Sequence, residues 1–79
     1  MSNNGVVVKY GDKGRKVKIA QKCLKKAGSS INVSGIYAIS MVSAVRSYQK
    51  KKGLDVTGTI TIETWKRLKK ELPFWKRIF

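Results

Sequence analysis

Ala44-Val45-Arg46-Ser47-Tyr48-Gln49-Lys50-Lys51-Lys52-Gly53-Leu54-Asp55-Val56-Thr57-Gly58 is the stretch that decides the fold. Val45 and Tyr48 continue an apolar period begun by Ala38, Met41 and Val42, which predicts a helix. Three lysines close it, where cations suit the negative end of the helix dipole, and Gly53 stops it. The β-branched residues of Val56-Thr57-Gly58-Thr59-Ile60 then favour extended backbone around a glycine turn. Upstream, Val17, Ala20, Leu24 and Ala27 predict an earlier helix that ends at Gly28, after a short extended piece over Val6-Val7-Val8-Lys9-Tyr10 and a break at Gly11-Asp12-Lys13-Gly14. Downstream, Thr61 or a neighbour caps a third helix with Glu63 in its first turn, Ile62, Trp65, Leu68 and Leu72 on its apolar stripe, and Pro73 as its stop.

Two parts of the chain look alike. Val17 to Gln21 and Val45 to Gln49 share the pattern Val-x-x-x-Gln, and each is followed by a similar connection, Val33-Ser34-Gly35-Ile36 or Val56-Thr57-Gly58-Thr59-Ile60. This pattern predicts a degenerate duplication with unequal loops, the connections acting as small β-like braces.

Length and charge narrow the function. A chain of 79 residues supports one small core. With 42% hydrophobic residues and one proline it is too apolar for a disordered tail. One cysteine, Cys23, permits no internal disulfide, and the absence of histidine beside four acids (Asp12, Asp55, Glu63, Glu71) leaves little for metal binding or acid–base catalysis. The expectation is a non-enzymatic domain without cofactors. Met1-Ser2-Asn3-Asn4-Gly5 lacks the pattern of a secretory signal, and the uncharged run Ala27 to Val45 is too polar for a membrane span, so synthesis in the cytoplasm is expected. The net charge of +14 calls for an anionic neighbour.

The ordered set Gly11-x-x-Gly14-x-x-Val17, Ala20-Gln21-x-x-Leu24, Gly28, Ser34-Gly35-Ile36-Tyr37, Ala44-Val45-x-x-Tyr48-Gln49-x-x-x-Gly53-Leu54-x-Val56-Thr57-Gly58 and Thr64-Trp65-x-x-Leu68 resembles the peptidoglycan-binding domain family. These are three-helix modules of bacterial and phage wall hydrolases. The resemblance implies an all-α, compact three-helix bundle with short extended connections, over residues 8–72, between a flexible N-terminus (1–7) and a C-terminal tail (73–79). It implies non-catalytic binding of wall peptidoglycan in a shallow groove near the loop before the second helix. Carried over by position, the ligand-binding residues are Ser34, Gly35, Tyr37 and Gln49. Tyr37 has a ring face and a hydroxyl for a sugar or acyl group, and Gln49 has a donor and an acceptor for a peptide-like group. Each also has a structural reading, Tyr37 as a core plug and Gln49 as a bracket for loop backbone. The family loop reads Asp-Gly-x-Phe-Gly and then a threonine, positions that fix loop geometry; here they hold Ser34, Gly35, Tyr37, Ala38 and Met41.

The cations cluster. Eight lie in residues 9–26 and none in 27–45, and Arg15, Lys18, Lys22 and Lys25 form a helical stripe facing away from Val17, Ala20 and Leu24. This stripe is the candidate polyanion-binding site, for an anionic wall polymer assisting peptidoglycan binding or, alternatively, for nucleic acid or an acidic host protein gripped by a small intracellular effector of phage type. No sequence-reading nucleic-acid motif accompanies it. The tail Leu72-Pro73-Phe74-Trp75-Lys76-Arg77-Ile78-Phe79 combines aromatics and cations suited to a membrane surface, a partner groove or an enlarged core. Cys23 reads as a small filler beside the apolar stripe. A wall binder without a signal reaches the wall after lysis or from a virion, or the protein stays cytoplasmic.

Overall fold

The periodic apolar residues become helices, and the β-branched ends become a two-stranded brace. A computed structural model of the chain describes residues 5–71. The elements in order are strand β1 (Val6–Val8), helix α1 (Arg15–Lys26), helix α2 (Ile39–Lys51), strand β2 (Ile60–Thr61) and helix α3 (Ile62–Lys69). The three expected helices are present. β1 pairs antiparallel with β2, Val6 opposite Thr61 and Val8 opposite Ile60. The fold is therefore mostly helical rather than all-α. Val6 and Val7, assigned above to a flexible N-terminus, belong to this sheet, and the Gly5 carbonyl accepts the Ile62 N–H at 2.8 Å.

Helices α1 and α2 stop in the same way. After α1, the N–H of Gly28 reaches the Lys25 carbonyl and that of Ser29 reaches Leu24; after α2, Gly53 reaches Lys50 and Leu54 reaches Gln49. This paired pattern satisfies carbonyls that a helix end otherwise leaves open. α3 begins under a side-chain cap, with the Thr61 hydroxyl accepting the Thr64 N–H and Glu63 in the first turn. α2 begins at Ala38, with no side-chain cap and no acid in its first turn.

One core joins the elements. Val17, Ile19, Ala20, Cys23 and Leu24 of α1 pack with Met41, Val45 and Tyr48 of α2, Leu68 of α3, Val8, Ile60 and Tyr37. Burial pushes the Cys23 thiol up to about 11, helped by the nearby Glu71 carboxylate, so this cysteine is a filler and not a reactive thiol. Tyr48 donates its hydroxyl to Glu71 at 2.9 Å, and Lys52 lies 3.6 Å from the same carboxylate, closing the end of α3 against that of α2. Among the described residues, no helix is long and apolar enough to cross a membrane. The tail reading from Leu72 onward lies outside the described residues.

Candidate functional site

Each of the first two helices carries one buried glutamine that grips the loop beyond it. Gln21 accepts the Gly35 N–H at 2.7 Å and donates to the Ile36 carbonyl at 3.0 Å. Gln49 accepts the N–H groups of Thr57 and Gly58 at 2.8 and 3.0 Å, and donates to the Thr59 carbonyl at 2.9 Å. The hydroxyls at the matching loop positions bond within their loops in the same way: Ser34 accepts from Ile36 N–H, and Thr57 from Thr59 N–H. Both brackets centre on a left-handed glycine, Gly35 at φ 83° and Gly58 at φ 79°. The two segments that look alike in sequence thus share a hydrogen-bond geometry.

This arrangement corrects two of the ligand assignments. Tyr37 is only 1% exposed, and its hydroxyl donates to the Gly58 carbonyl, which ties the first loop to the second bracket. Its burial holds the phenol above the usual tyrosine range. Gln49 is fully buried and its amide is filled by Thr57, Gly58, Thr59 and Thr64. Neither side chain faces solvent, because each satisfies a buried polar group whose orphaning is costly. Gly35 is also buried, while Ser34 is exposed with its hydroxyl shared between Ile36 and Gln21. Ser34 and Gly35 lie in the first bracket with Gln21, Gln49 holds the second, and Tyr37 links the two through Gly58.

The outer side of that frame is a different set. Three backbone hydrogen bonds zip residues 11–14 to 35–37: Gly11 N–H to Tyr37, Tyr37 N–H to Asp12 and Gly14 N–H to Gly35. Beside this seam three large apolar residues stand in solvent, Tyr10 at 58%, Ile36 at 54% and Ile39 at 66% exposure. The loop alternates, with Ser34, Ile36 and Ala38 outward and Gly35 and Tyr37 inward. A period-2 reading of residues 34–38 finds this, and places Ile36, not Tyr37, on the surface. Much of the uncharged run between Ala27 and Val45 is likewise exposed, including Gly28, Ser30, Asn32, Ser40 and Ser43. Its far end enters an open cleft of about 350 Å³ between the end of α1 and the middle of α2, lined by Ser29, Ser30, Ser43 and Ser47 with Tyr48 and Lys51.

The basic stripe is intact. Arg15, Lys18, Lys22 and Lys25 are all exposed on α1. The aliphatic stem of Lys18 crosses the α-carbon of Gly35, close enough that a Cβ there would meet Lys18 Cγ at 3.4 Å. The charged face therefore borders the loop directly.

Known proteins are similar to this chain in sequence and fold. The model of the family described as "Putative peptidoglycan binding domain" matches residues 13–68. The carboxy-terminal processing protease CtpA of Bacillus subtilis (strain 168) is 44% identical over 64 residues, which are 81% of this chain and 14% of that protein. A peptidoglycan-binding protein from Clostridioides difficile, solved in complex with glutamine hydroxamate, superposes with a TM-score of 0.76 at 34% identity over 86% of this chain and 42% of its own. The SleB N-terminal domain superposes with a TM-score of 0.77 at 31% identity, over 89% of this chain and 96% of its own. The chain thus spans a small part of the protease and less than half of the C. difficile protein, but nearly all of the isolated SleB domain. With its two glutamine brackets, its three helices and a family match over most of its length, this chain belongs to the peptidoglycan-binding domain family.

Proposed function

We propose that this domain is a non-catalytic module that acts at the bacterial cell wall, holding peptidoglycan on a shallow neutral surface around residues 34–40, with the basic faces assisting. One observation carries the reading: on a protein of +14, the loop that Gln21 holds and the start of α2 behind it present Ile36 and Ile39 to solvent inside an uncharged stretch, with Tyr10 exposed on the other side of the backbone seam. A flat apolar patch with exposed backbone and hydroxyl groups suits a polymer of sugar faces and peptide groups. The bracket supplies rigidity, which lowers the entropy lost on binding. Tyr37 and Gln49 serve the ligand indirectly, by holding that surface in place.

The test separates surface from frame. The triple variant Tyr10→Ala, Ile36→Ser, Ile39→Ser keeps the core and is expected to lose about tenfold or more in affinity for purified sacculi, the equivalent of about 1.4 kcal/mol. Tyr37→Phe removes only the hydroxyl bond to Gly58; it is expected to lower stability by about 1–2 kcal/mol with affinity unchanged. Full sacculus binding by the folded triple variant contradicts the reading.

A further inference from the structure

The α1 face is charged beyond what the fold requires, and against its local interest. Lys13, Arg15, Lys16, Lys18, Lys22, Lys25 and Lys26 make no ion pair among the described residues, where the two pairs use Lys9 and Lys52. Arg15, Lys16 and Lys18 crowd the first turn of α1, which has no acid and no side-chain cap. That is the positive end of the helix dipole, where cations are unfavourable and an anion is welcome. At 3.6 residues per turn, Arg15, Lys18, Lys22, Lys25 and Lys26 fall within an arc of about 100° over roughly 16 Å of helix. Lys22, Lys25 and Lys26 also line an open groove with Val33 from the loop, so part of the face is concave and has an aliphatic floor.

We infer that this face binds a linear phosphodiester polymer of the wall, a chain of polyol phosphates, alongside the glycan on the neutral surface. The inference rests on the wall-binding reading above. A row of single ammonium groups at successive helical turns matches a polymer with one fixed negative charge per repeat, since lysine grips phosphate as a point charge. Val33 lies against the carbon backbone between phosphates. The Lys18 stem over Gly35 joins the two surfaces, so a wall carrying both polymers engages both at once and gains from effective concentration.

The experiment uses the full chain against three probes: intact Gram-positive walls, the same walls chemically stripped of polyol phosphate, and soluble poly(glycerol phosphate). A DNA of equal phosphate number is the competitor. The expected result is binding to poly(glycerol phosphate) with a steep salt dependence, and intact walls holding the protein at least tenfold more tightly than stripped walls at low salt. Lys18→Gln, Lys22→Gln, Lys25→Gln and Lys26→Gln together are expected to flatten the slope of log affinity against log salt by about 3, at roughly 0.7 per contact. Lys50→Gln, Lys51→Gln, Lys66→Gln and Lys70→Gln remove the same charge elsewhere and are expected to change it far less. Equal losses in the two quadruple variants, equal binding to intact and stripped walls, or DNA displacing poly(glycerol phosphate) at equal phosphate would each overturn the inference. Stripped walls held at high salt without any binding of the soluble polymer would sink it while leaving the peptidoglycan reading standing. Polymer binding without stripped-wall binding would overturn the peptidoglycan reading and, with it, the joint engagement of both polymers.

Discussion

The two glutamine brackets perform one task with unequal means. Gln49 closes on two backbone N–H groups, one carbonyl and two threonine hydroxyls, including Thr64 Oγ1 at 3.0 Å inside α3. Gln21 closes on one N–H, one carbonyl and the Ser34 hydroxyl. Counted from the central glycine, Met41 stands where the second bracket has Thr64, and Ala38 stands where it has the capping Thr61. The second bracket is a closed buried network that holds the helices together. The first has fewer partners and no bond into another helix, and its outer side carries the surface proposed to bind. On the proposed reading one brace serves stability and the other carries the surface, and the positions that depart from the family loop, Ser34, Tyr37, Ala38 and Met41, follow the first.

The largest expected difference comes from removing the glutamines. Gln49→Ala orphans several buried groups and is expected to cost about 3–5 kcal/mol in urea unfolding, while Gln21→Ala costs about 1–3 kcal/mol. A domain of this size has only about 4–12 kcal/mol in total, so the first variant sits near the edge of folding. Equal losses would break the comparison. The glycines come next. At Gly58 an added Cβ meets Val42 at 3.0 Å and Arg46 at 3.2 Å, whereas at Gly35 it meets the pliable stem of Lys18 at 3.4 Å. Gly58→Ala is expected to cost about 2–3 kcal/mol and Gly35→Ala about 1–2 kcal/mol, the left-handed backbone supplying the shared part.

Smaller effects sharpen the contrast. Thr64→Val keeps the shape and removes the hydroxyl that Gln49 reaches, for an expected loss of about 1–2 kcal/mol. At the caps the sign reverses: Thr61→Ala is expected to lose about 1 kcal/mol, and Ala38→Ser to gain about 0.5–1 kcal/mol by supplying the cap that α2 lacks, both read from thermal or urea midpoints. The smallest effect is that of pH. The bracket residues carry no ionisable side chain, so the difference between brackets stays constant. Alkali weakens the fold as a whole, because burial pushes the Cys23 thiol up to about 11 and holds the Tyr37 and Tyr48 phenols above the usual tyrosine range. The Cys23 proton is held by the folded state and lost first by the unfolded one, so this stability is full below pH 9 and disappears as pH climbs toward 11. Thiol titration with a coloured disulfide reagent checks it: Cys23 should react only on unfolding below pH 9.

What the residues disclosed in advance follows from range. Val17, Ala20 and Leu24, or Met41, Val45 and Tyr48, lie within a few turns of one another, so helical period alone places α1 and α2. The β1–β2 pair joins segments more than fifty residues apart with three and two residues each, so extended backbone is readable at both places but their pairing is not, and Val6 and Val7 fall outside the domain bounds that the resemblance implies. Tyr37 carries two readings, ligand contact and core plug, for a related reason. An aromatic beside a polar turn has the composition of a sugar platform, and only the alternation of residues 34–38 tells that it points inward. The likeness of the two segments was legible because Gln21 and Gln49 keep both their spacing from valine and their partners.

Retention on phosphate-stripped sacculi at about 0.5 M salt, where the Debye length is only a few ångströms and exposed charge attraction is largely screened, tests the central claim most directly. Salt-resistant binding that disappears with Tyr10→Ala, Ile36→Ser and Ile39→Ser is the predicted result. Complete release of the wild-type domain at that salt would contradict a neutral peptidoglycan surface and leave only its charge to act.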